Sequence, residues 1–554
     1  MEQDHLLQLF QNTFRENWNR PALSQYGRGS VMTYGDFARR IAQTHLLYQE
    51  SGIRRGDRVA IMGKNTVSWV TVFMATLTYG AIVVPVLAEF NPQDAMHIIN
   101  HSGAKMFFVS DSVWEHMDFD AMPGLKVAMS LDDSSLLGEH PTNNRRAEKT
   151  LQRLPILFKK QYPNGFRSEH IIYPLTDKHA VAEINYTSGT TGFSKGVMLT
   201  YDNLAGNTFF GVNSHLHYPG SRCLAFLPLA HAYGAAFDML TTLGAGGHMT
   251  LLDKMPTPNV LLKAFASVRP NLILCVPLIL EKIYRKQILP QIKKPLIRRV
   301  LSMPVVKNAI HAKIRKSLVE AFGGEFTQVI VGGAALNHEV EEFLHKIHFP
   351  FTVGYGMTEC GPLISYTYWR DYLVGSSGRT LPHIMHSKIL SDDEEKIPGE
   401  ICVKGQNVMK GYYHNPDATN EVLDKDGWLH TGDMGTRDAD GTLYIKGRYK
   451  TMILTSTGQN IYPEEIEAKL NNMSYVTESL VVERGNHLVA LVYPDFEAMD
   501  REGITTEQLP EIMEGVRKEL NMRVAPYERI DRIQLRPTEF EKTPKRSIKR
   551  FLYN

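Results

Sequence analysis

From residue 58 the chain alternates between two periodicities: the apolar run "RVAIM", a helical segment over 68–79, the β-branched run "AIVVPV", an amphipathic segment "PQDAMHIINHS" and a further run "KMFFVS". Strands separated by helix-length segments need crossover connections, which set successive strands parallel and cover the sheet with helices. The expected class is therefore α/β. An uncharged stretch over 69–88 lies inside this alternation and is long enough to cross a bilayer of ~30 Å. Gly80 and Pro85 divide it, so it reads as a helix followed by a buried strand. Residues 112–180 are less regular, and "HPTNNRRAEK" at 140–149 reads as an exposed polar insertion.

With 554 residues, 43% of them hydrophobic, the chain can bury a sizeable core and should form at least two domains. "GRYKTMILTSTGQN" at 447–460 precedes a shorter part with its own strands, "ESLVVE" and "HLVALVYP", and a helix near 507–520. The expected division is 1–447, a hinge at 448–453, and 454–554. A net charge of +2 provides no global field for nucleic acid. Cys223, Cys275, Cys360 and Cys402 form no C-x-x-C pair, which suggests neither a zinc cluster nor a disulfide framework and fits a reducing cytosol. Acids in "MEQDHLLQLF" argue against a signal peptide, so a cytoplasmic location is expected.

"INYTSGTTGFSKGVMLT" at 184–200 reads as strand, loop, strand. Its loop combines Gly189 and Gly192, the hydroxyls of Thr187, Ser188, Thr190 and Thr191, and the charge of Lys195. Close backbone approach, hydroxyl donors and one ammonium are the parts of a phosphate cradle. A Walker loop is disfavoured, because Lys195 lies between Ser194 and Gly196 with no helix signal after it. A Rossmann fingerprint fails as well, since "GYGMTECG" at 354–361 lacks its third glycine.

Five segments in order, "YTSGTTGFSKGV", "LPLAHAYG", "GYGMTECGP", "HTGDMG" and "GRYKTMILTSTGQNIYPEEIE", resemble the adenylate-forming superfamily of acyl-CoA synthetases, peptide-synthetase adenylation domains and luciferases. With "GDRVAIMGKN" and "GAIVVPV" upstream, the resemblance covers nearly the whole chain. It implies a large N-terminal α/β domain of several subdomains with parallel sheets, plus a small mobile C-terminal α+β domain. The reaction it implies has two steps: a carboxylate attacks the α-phosphate of ATP to give acyl-AMP and pyrophosphate, and a thiol, such as that of coenzyme A, then captures the acyl group.

By the same resemblance Lys195 and the loop would hold the β- and γ-phosphates, with Thr187 and Glu359 as ligands of Mg2+. Tyr355 would flank adenine, in one loop with Gly356, Met357 and Thr358, while Gly332, Gly333 and Ala334 of "VGGAAL" would let base and ribose approach. Asp433 would accept both ribose hydroxyls and Arg448 would support the ribose or phosphate side. His231 would stand at the mouth of the acyl site, Lys450 at the hinge, and Gly458 beside a pantetheine channel.

One position departs from the family. In "EKTPKRSIKR" the usual terminal lysine is replaced by Ser547, with Lys545 and Lys549 two residues to either side. An extended chain would put all three on one face.

The phosphate-loop segment and the stretch between 283 and 319 look most like the long-chain fatty acid branch, so a medium- or long-chain fatty acid is the expected substrate. Residues 285–316 carry Arg298, Arg299, Lys307 and Lys313 but no acid, which raises peripheral contact with an anionic membrane surface beside the plainer reading of a solvated basic face. An enzyme stopping at acyl-AMP or serving an acyl carrier protein is the nearest alternative, and a non-catalytic nucleotide or acyl sensor a more distant one. "HEVEEF" at 338–343 does not make a metalloprotease, because position 342 is Glu where that motif needs His.

Overall fold

Strands Arg58–Met62, Ile82–Val86 and Met106–Val109 lie side by side and parallel, with Ala60 opposite both Val84 and Phe107. This computed structural model of the chain describes residues 5–187, 195–285, 304–454, 460–485, 487–543 and 548–553. Helix Val67–Tyr79 starts at Thr66, whose side chain accepts the Trp69 N–H, and stops at Gly80, which takes a φ of 88°. Asn91 caps helix Pro92–Ser102 in the same manner, and Gly103 ends it at a φ of 64°. These helices follow the strands they cover, as the alternation predicted.

The uncharged stretch 69–88 is core. Its helix has 13 residues, short of the ~20 needed to span a bilayer, and Trp69 stacks on Phe73 in full burial. Among the described residues no helix is long and apolar enough to cross a membrane.

The sheet extends to eight strands. Val127–Ser130 joins in parallel and Leu136–Glu139 closes one edge, while Val181–Thr187, Lys195–Thr200 and the short strand Gly411–Tyr412 build the other. Residues 140–149 are mostly exposed, as expected, but they are not an irregular insertion: they hold the 3₁₀ turn Pro141–Asn143 and the first turn of helix Arg146–Gln161, with Asn143 and Ala147 buried. The cause is a distant cap. Glu139, at the end of the preceding strand, accepts the N–H groups of Ala147 and Glu148 at 2.9 and 3.1 Å, a role usually filled by the residue next to the helix.

A three-stranded parallel sheet, Ile273–Cys275, Val329–Val331 and Phe351–Val353, and a four-stranded antiparallel sheet, Met385–Leu390, Gly399–Gly405, Leu429–Arg437 and Leu443–Arg448, share one continuous core with the eight-stranded sheet. The C-terminal part is built separately. Its sheet, Val476–Arg484, His487–Pro494 and Arg532–Leu535, packs with helices Pro463–Leu470 and Leu509–Asn521 around an apolar interior of its own. The molecule is thus a large mixed α/β body with parallel sheets and a small C-terminal α+β domain. Polar contacts join the two: Lys446 to Glu465 at 3.3 Å and Arg285 to the Asn471 carbonyl at 2.6 Å.

Candidate active site

Strands Val181–Thr187 and Lys195–Thr200 pair as a hairpin with Thr187 opposite Lys195, so both stand at the mouth of the loop between them. The loop positions Ser188, Gly189, Thr190, Thr191 and Gly192 lie outside the described residues. Helix Tyr201–Asn213 begins only after the second strand, where Thr200 and Asn203 form a reciprocal cap, so the lysine opens a strand and not a Walker-type helix.

The hairpin is tied to Glu359 through a residue that no motif suggested. Tyr412, on the edge strand paired with Lys195–Thr200, has its ring 4.8 Å from Lys195 Nζ and donates its hydroxyl to Glu359 Oε1 at 2.8 Å. Glu359 lies in the 3₁₀ turn Thr358–Cys360, and its carbonyl accepts the Met409 N–H at 2.8 Å. Lys195 and Glu359 are thereby gathered around one aromatic ring, with Thr187 opposite Lys195 on the adjoining strand. Met357 and Thr358 lead into this turn from the strand Tyr355–Gly356, where a side chain on Gly356 would run into the Pro362 carbonyl.

The Tyr355 hydroxyl donates to Asp433 Oδ2 at 2.7 Å, and Arg448 Nε is 3.3 Å from Asp433 Oδ1. Asp433 and Arg448 are cross-strand partners, which sets this pairing. Burial pushes the Asp433 carboxyl up while Arg448 and the Tyr355 hydroxyl hold it down, and the charge of Glu359 is felt there too. The Tyr355 hydroxyl is itself raised well above its ordinary range by burial and by Asp433. Arg448 remains mostly exposed.

Glu400 positions the Asp433 loop. Its Oε1 accepts the Gly432 N–H at 3.1 Å, its Oε2 is 2.8 Å from His430 Nδ1, and Gly432 adopts a φ of 70°. The Asp433 N–H in turn donates to Thr431 Oγ1 at 3.1 Å.

His231 sits half-buried before the π-helical turn Gly234–Leu240. Its loop is braced from two sides: Asn65 accepts the Leu229 N–H at 3.1 Å, and Asn185 donates to the Ala230 carbonyl at 3.2 Å. Asn185 also donates to Glu183, whose carboxyl is pushed up to about 7 by burial. Tyr233 links this loop to the glycine segment, donating to the Ile330 carbonyl at 2.9 Å while its ring lies 3.2 Å from where a Cβ on Gly332 would be. Gly333, with a φ of 87°, and Ala334 are exposed beside it.

Lys450 is exposed in the 3₁₀ turn Tyr449–Thr451. Gly458, Lys545 and Ser547 lie outside the described residues, and Lys549 pairs with Glu541 at 3.6 Å. Tyr412, Glu400, Asn65 and Asn185 were not singled out from the sequence. The cue for Asn65 was the "GKN" that follows the first parallel strand; the others act on partners far along the chain.

Thr187 offers a hydroxyl and Glu359 a carboxylate, hard oxygen donors of the chemistry that a divalent cation such as Mg2+ takes together with phosphate oxygens.

Residues 10–413 match the model of a family described as AMP-binding enzyme, and residues 450–553 that of the AMP-binding enzyme C-terminal domain. A long-chain-fatty-acid–CoA ligase of Escherichia coli O6:H1 is 30% identical over 483 residues, covering 83% of this chain and 80% of the relative. The peroxisomal long chain acyl-CoA synthetase 7 of Arabidopsis thaliana is 30% identical over 550 residues, covering 93% and 76%. Among solved structures, ATP-bound MatB from Rhodopseudomonas palustris superposes with a TM-score of 0.75 at 23% identity, covering 99% of this chain and 98% of that one. The o-succinylbenzoate coenzyme A synthetase of Bacillus subtilis with ATP and magnesium gives 0.74 at 20% identity, with 98% of each chain covered. These two share its fold.

Proposed function

This chain belongs to the AMP-binding enzyme family, and from that premise we propose that it activates a medium- or long-chain fatty acid with ATP to acyl-AMP and passes the acyl group to coenzyme A, releasing pyrophosphate and AMP. The observation that carries the reading is the junction of two groups: Lys195, Tyr412 and Glu359 on one side, Tyr355, Asp433 and Arg448 on the other.

In this reading Lys195 meets the triphosphate as a point charge and Asp433 accepts the ribose hydroxyls. Tyr355, fixed by its bond to Asp433, turns its ring to adenine, and Gly332, Gly333 and Ala334 leave room for base and ribose. Thr187 and Glu359 would hold magnesium, which neutralises charge moving onto the departing pyrophosphate. Nucleotidyl transfer gains mostly from such placement, so the fatty carboxylate needs to be held in line with the α-phosphate. His231, at the braced loop, is assigned to the mouth of the acyl site.

The test is AMP release across acids from acetate to oleate, with and without coenzyme A. Each buried methylene contributes ~0.8 kcal/mol, so a long acyl chain should exceed acetate in kcat/KM by at least about a thousandfold after ordering costs. Equal rates for acetate and palmitate would overturn the substrate class, and release unaffected by coenzyme A would favour an acyl-carrier-protein acceptor.

Within the same proposal the chain divides at 1–447, 448–453 and 454–554, the small domain turning about Lys450 between the steps and bringing Gly458 to the pantetheine. Lys545 or Lys549 replaces the lysine missing at 547. Lys549→Ala and Lys545→Ala, made singly and together, should lower acyl-adenylate formation about tenfold or more in at least one case, with thioester formation from supplied acyl-AMP preserved. Unchanged adenylation in the double variant removes the idea.

The basic segment is assigned to a peripheral contact with the anionic inner surface of the cytoplasmic membrane. Lys307 and Lys313 are exposed on helix Pro304–Ala321, and each such charge contributes ~1 kcal/mol near an anionic surface. Sedimentation with anionic vesicles should fall between low and high salt; none at low salt sinks this contact.

A further inference from the structure

Cysteine spacing along the chain offers no metal site, yet strand pairing makes one. Glu400 and Cys402 are two apart on the strand Gly399–Gly405, and His430, on the strand Leu429–Arg437, is the cross-strand partner of Cys402. Alternation puts residues i and i+2 on one face, and a directly paired neighbour joins them there. The donor atoms of all three lie within 4.8 Å of one another. His430 Nδ1 is 3.6 Å from Cys402 Sγ and 2.8 Å from Glu400 Oε2.

The geometry points to a binding site for one thiophilic divalent cation, zinc foremost, formed by Glu400, Cys402 and His430 and distinct from the Thr187 and Glu359 pair. Tetrahedral zinc with bonds of ~2.3 Å to sulfur and ~2.0 Å to nitrogen holds S and N about 3.6 Å apart, the spacing already present. The same arithmetic requires N and O about 3.3 Å apart, so the Glu400 carboxylate moves outward by roughly half an ångström.

That movement is available, because the Glu400 and His430 side chains are 24% and 33% exposed, which also gives the cation its way in. Cys402 is fully buried behind them. One soft sulfur, one imidazole and one carboxylate suit zinc or cobalt and disfavour magnesium. On binding, the Cys402 thiol gives its proton to solvent as the S–metal bond forms. The His430 proton moves from Nδ1 to Nε2, freeing the lone pair that takes the metal, and the Nδ1–H bond to Glu400 is lost. Three protein ligands leave a fourth position for water.

Two further charges face the thiol. Lys388, on the neighbouring strand Met385–Leu390 and directly opposite Cys402, opposes a cation, whereas Asp424 favours one. Lys388 is drawn aside over the Trp428 ring at 4.3 Å. Glu400 Oε1 keeps its bond from the Gly432 N–H in either state, so a bound cation would brace the loop that carries Asp433. The inference rests on no part of the ligase reading.

The test uses the full chain, stripped with a chelator and titrated with Zn2+ against a chromophoric competitor, and with Co2+ under visible and near-ultraviolet absorbance. One zinc per chain and a thiolate-to-cobalt charge-transfer band are expected, with Mg2+ failing to compete. Cys402→Ser should abolish the band, and Cys402→Ser and His430→Ala should each weaken zinc at least about tenfold. Cys223→Ser should change neither. Substoichiometric zinc, or undiminished zinc in a variant carrying both Cys402→Ser and His430→Ala, overturns the site and leaves a hydrogen-bonded cross-strand cluster only. Because the variants could fail to fold, X-ray absorption of the zinc-loaded parent provides an independent decision: a sulfur at ~2.3 Å supports the site, and a shell of nitrogen and oxygen alone sinks it.

Discussion

Asp433→Ala is expected to lower kcat/KM for ATP by about 10²–10⁴ and to abolish discrimination between ATP and 2′-deoxy-ATP. A hydrogen bond to a charged group is worth ~1.5–3 kcal/mol, and in the proposed ribose role the carboxylate would make two such bonds that the variant loses. It also strands the Tyr355 hydroxyl, which donates to Asp433 at 2.7 Å in a buried setting, and leaves Arg448 without its partner. The loss should therefore fall on nucleotide binding and on the placement of the adenine-side ring together. Asp433→Asn keeps the shape and one acceptor, so its effect should be about tenfold and mainly in KM. Retained selectivity against 2′-deoxy-ATP in the alanine variant would remove Asp433 from ribose recognition.

The second large effect is expected at Glu359. Glu359→Gln preserves an acceptor for the Tyr412 hydroxyl and alters volume little, but it deletes the charge. Losing one group that stabilises charge developing in a transition state typically costs ~10²–10³ in rate, and that loss should appear in carboxylate-dependent pyrophosphate exchange. The concentration of Mg2+ needed for half-maximal exchange should rise, with the melting temperature close to that of the parent. Tyr412→Phe separates the two roles of this contact. It frees the carboxylate from its brace without removing charge, so its loss should stay near tenfold. Exchange by Glu359→Gln within a few-fold of the parent, at unchanged magnesium demand, would show that the carboxylate holds no metal.

The fold was legible where the information is local. Helices Val67–Tyr79 and Pro92–Ser102 have their caps within three residues and their stops at the next glycine, so the alternation from residue 58 could be read directly. Helix Arg146–Gln161 was hidden because its cap, Glu139, belongs to a strand, and a polar stretch without a local cap resembles a loop. The π-helical turn Gly234–Leu240 gives no signal of its own in an apolar sequence.

The candidate site divides along the same line. Motif resemblance pointed to Tyr355, Glu359 and Asp433, but not to the bond between Tyr355 and Asp433, which joins residues 78 apart. Tyr412 and Glu400 reach Glu359 and Gly432 across 53 and 32 residues, and nothing near either of them in the chain announces it. Positions that touch a ligand cluster into short words; those that hold them in place are scattered by the topology.

The C-terminal part has its own apolar interior, and the contacts noted between it and the main body, Lys446 with Glu465 and Arg285 with the Asn471 carbonyl, are polar. Water can replace such contacts almost one for one. On the proposed swing of that part, breaking these two contacts would cost little, and a bound ligand could tip the balance between its positions.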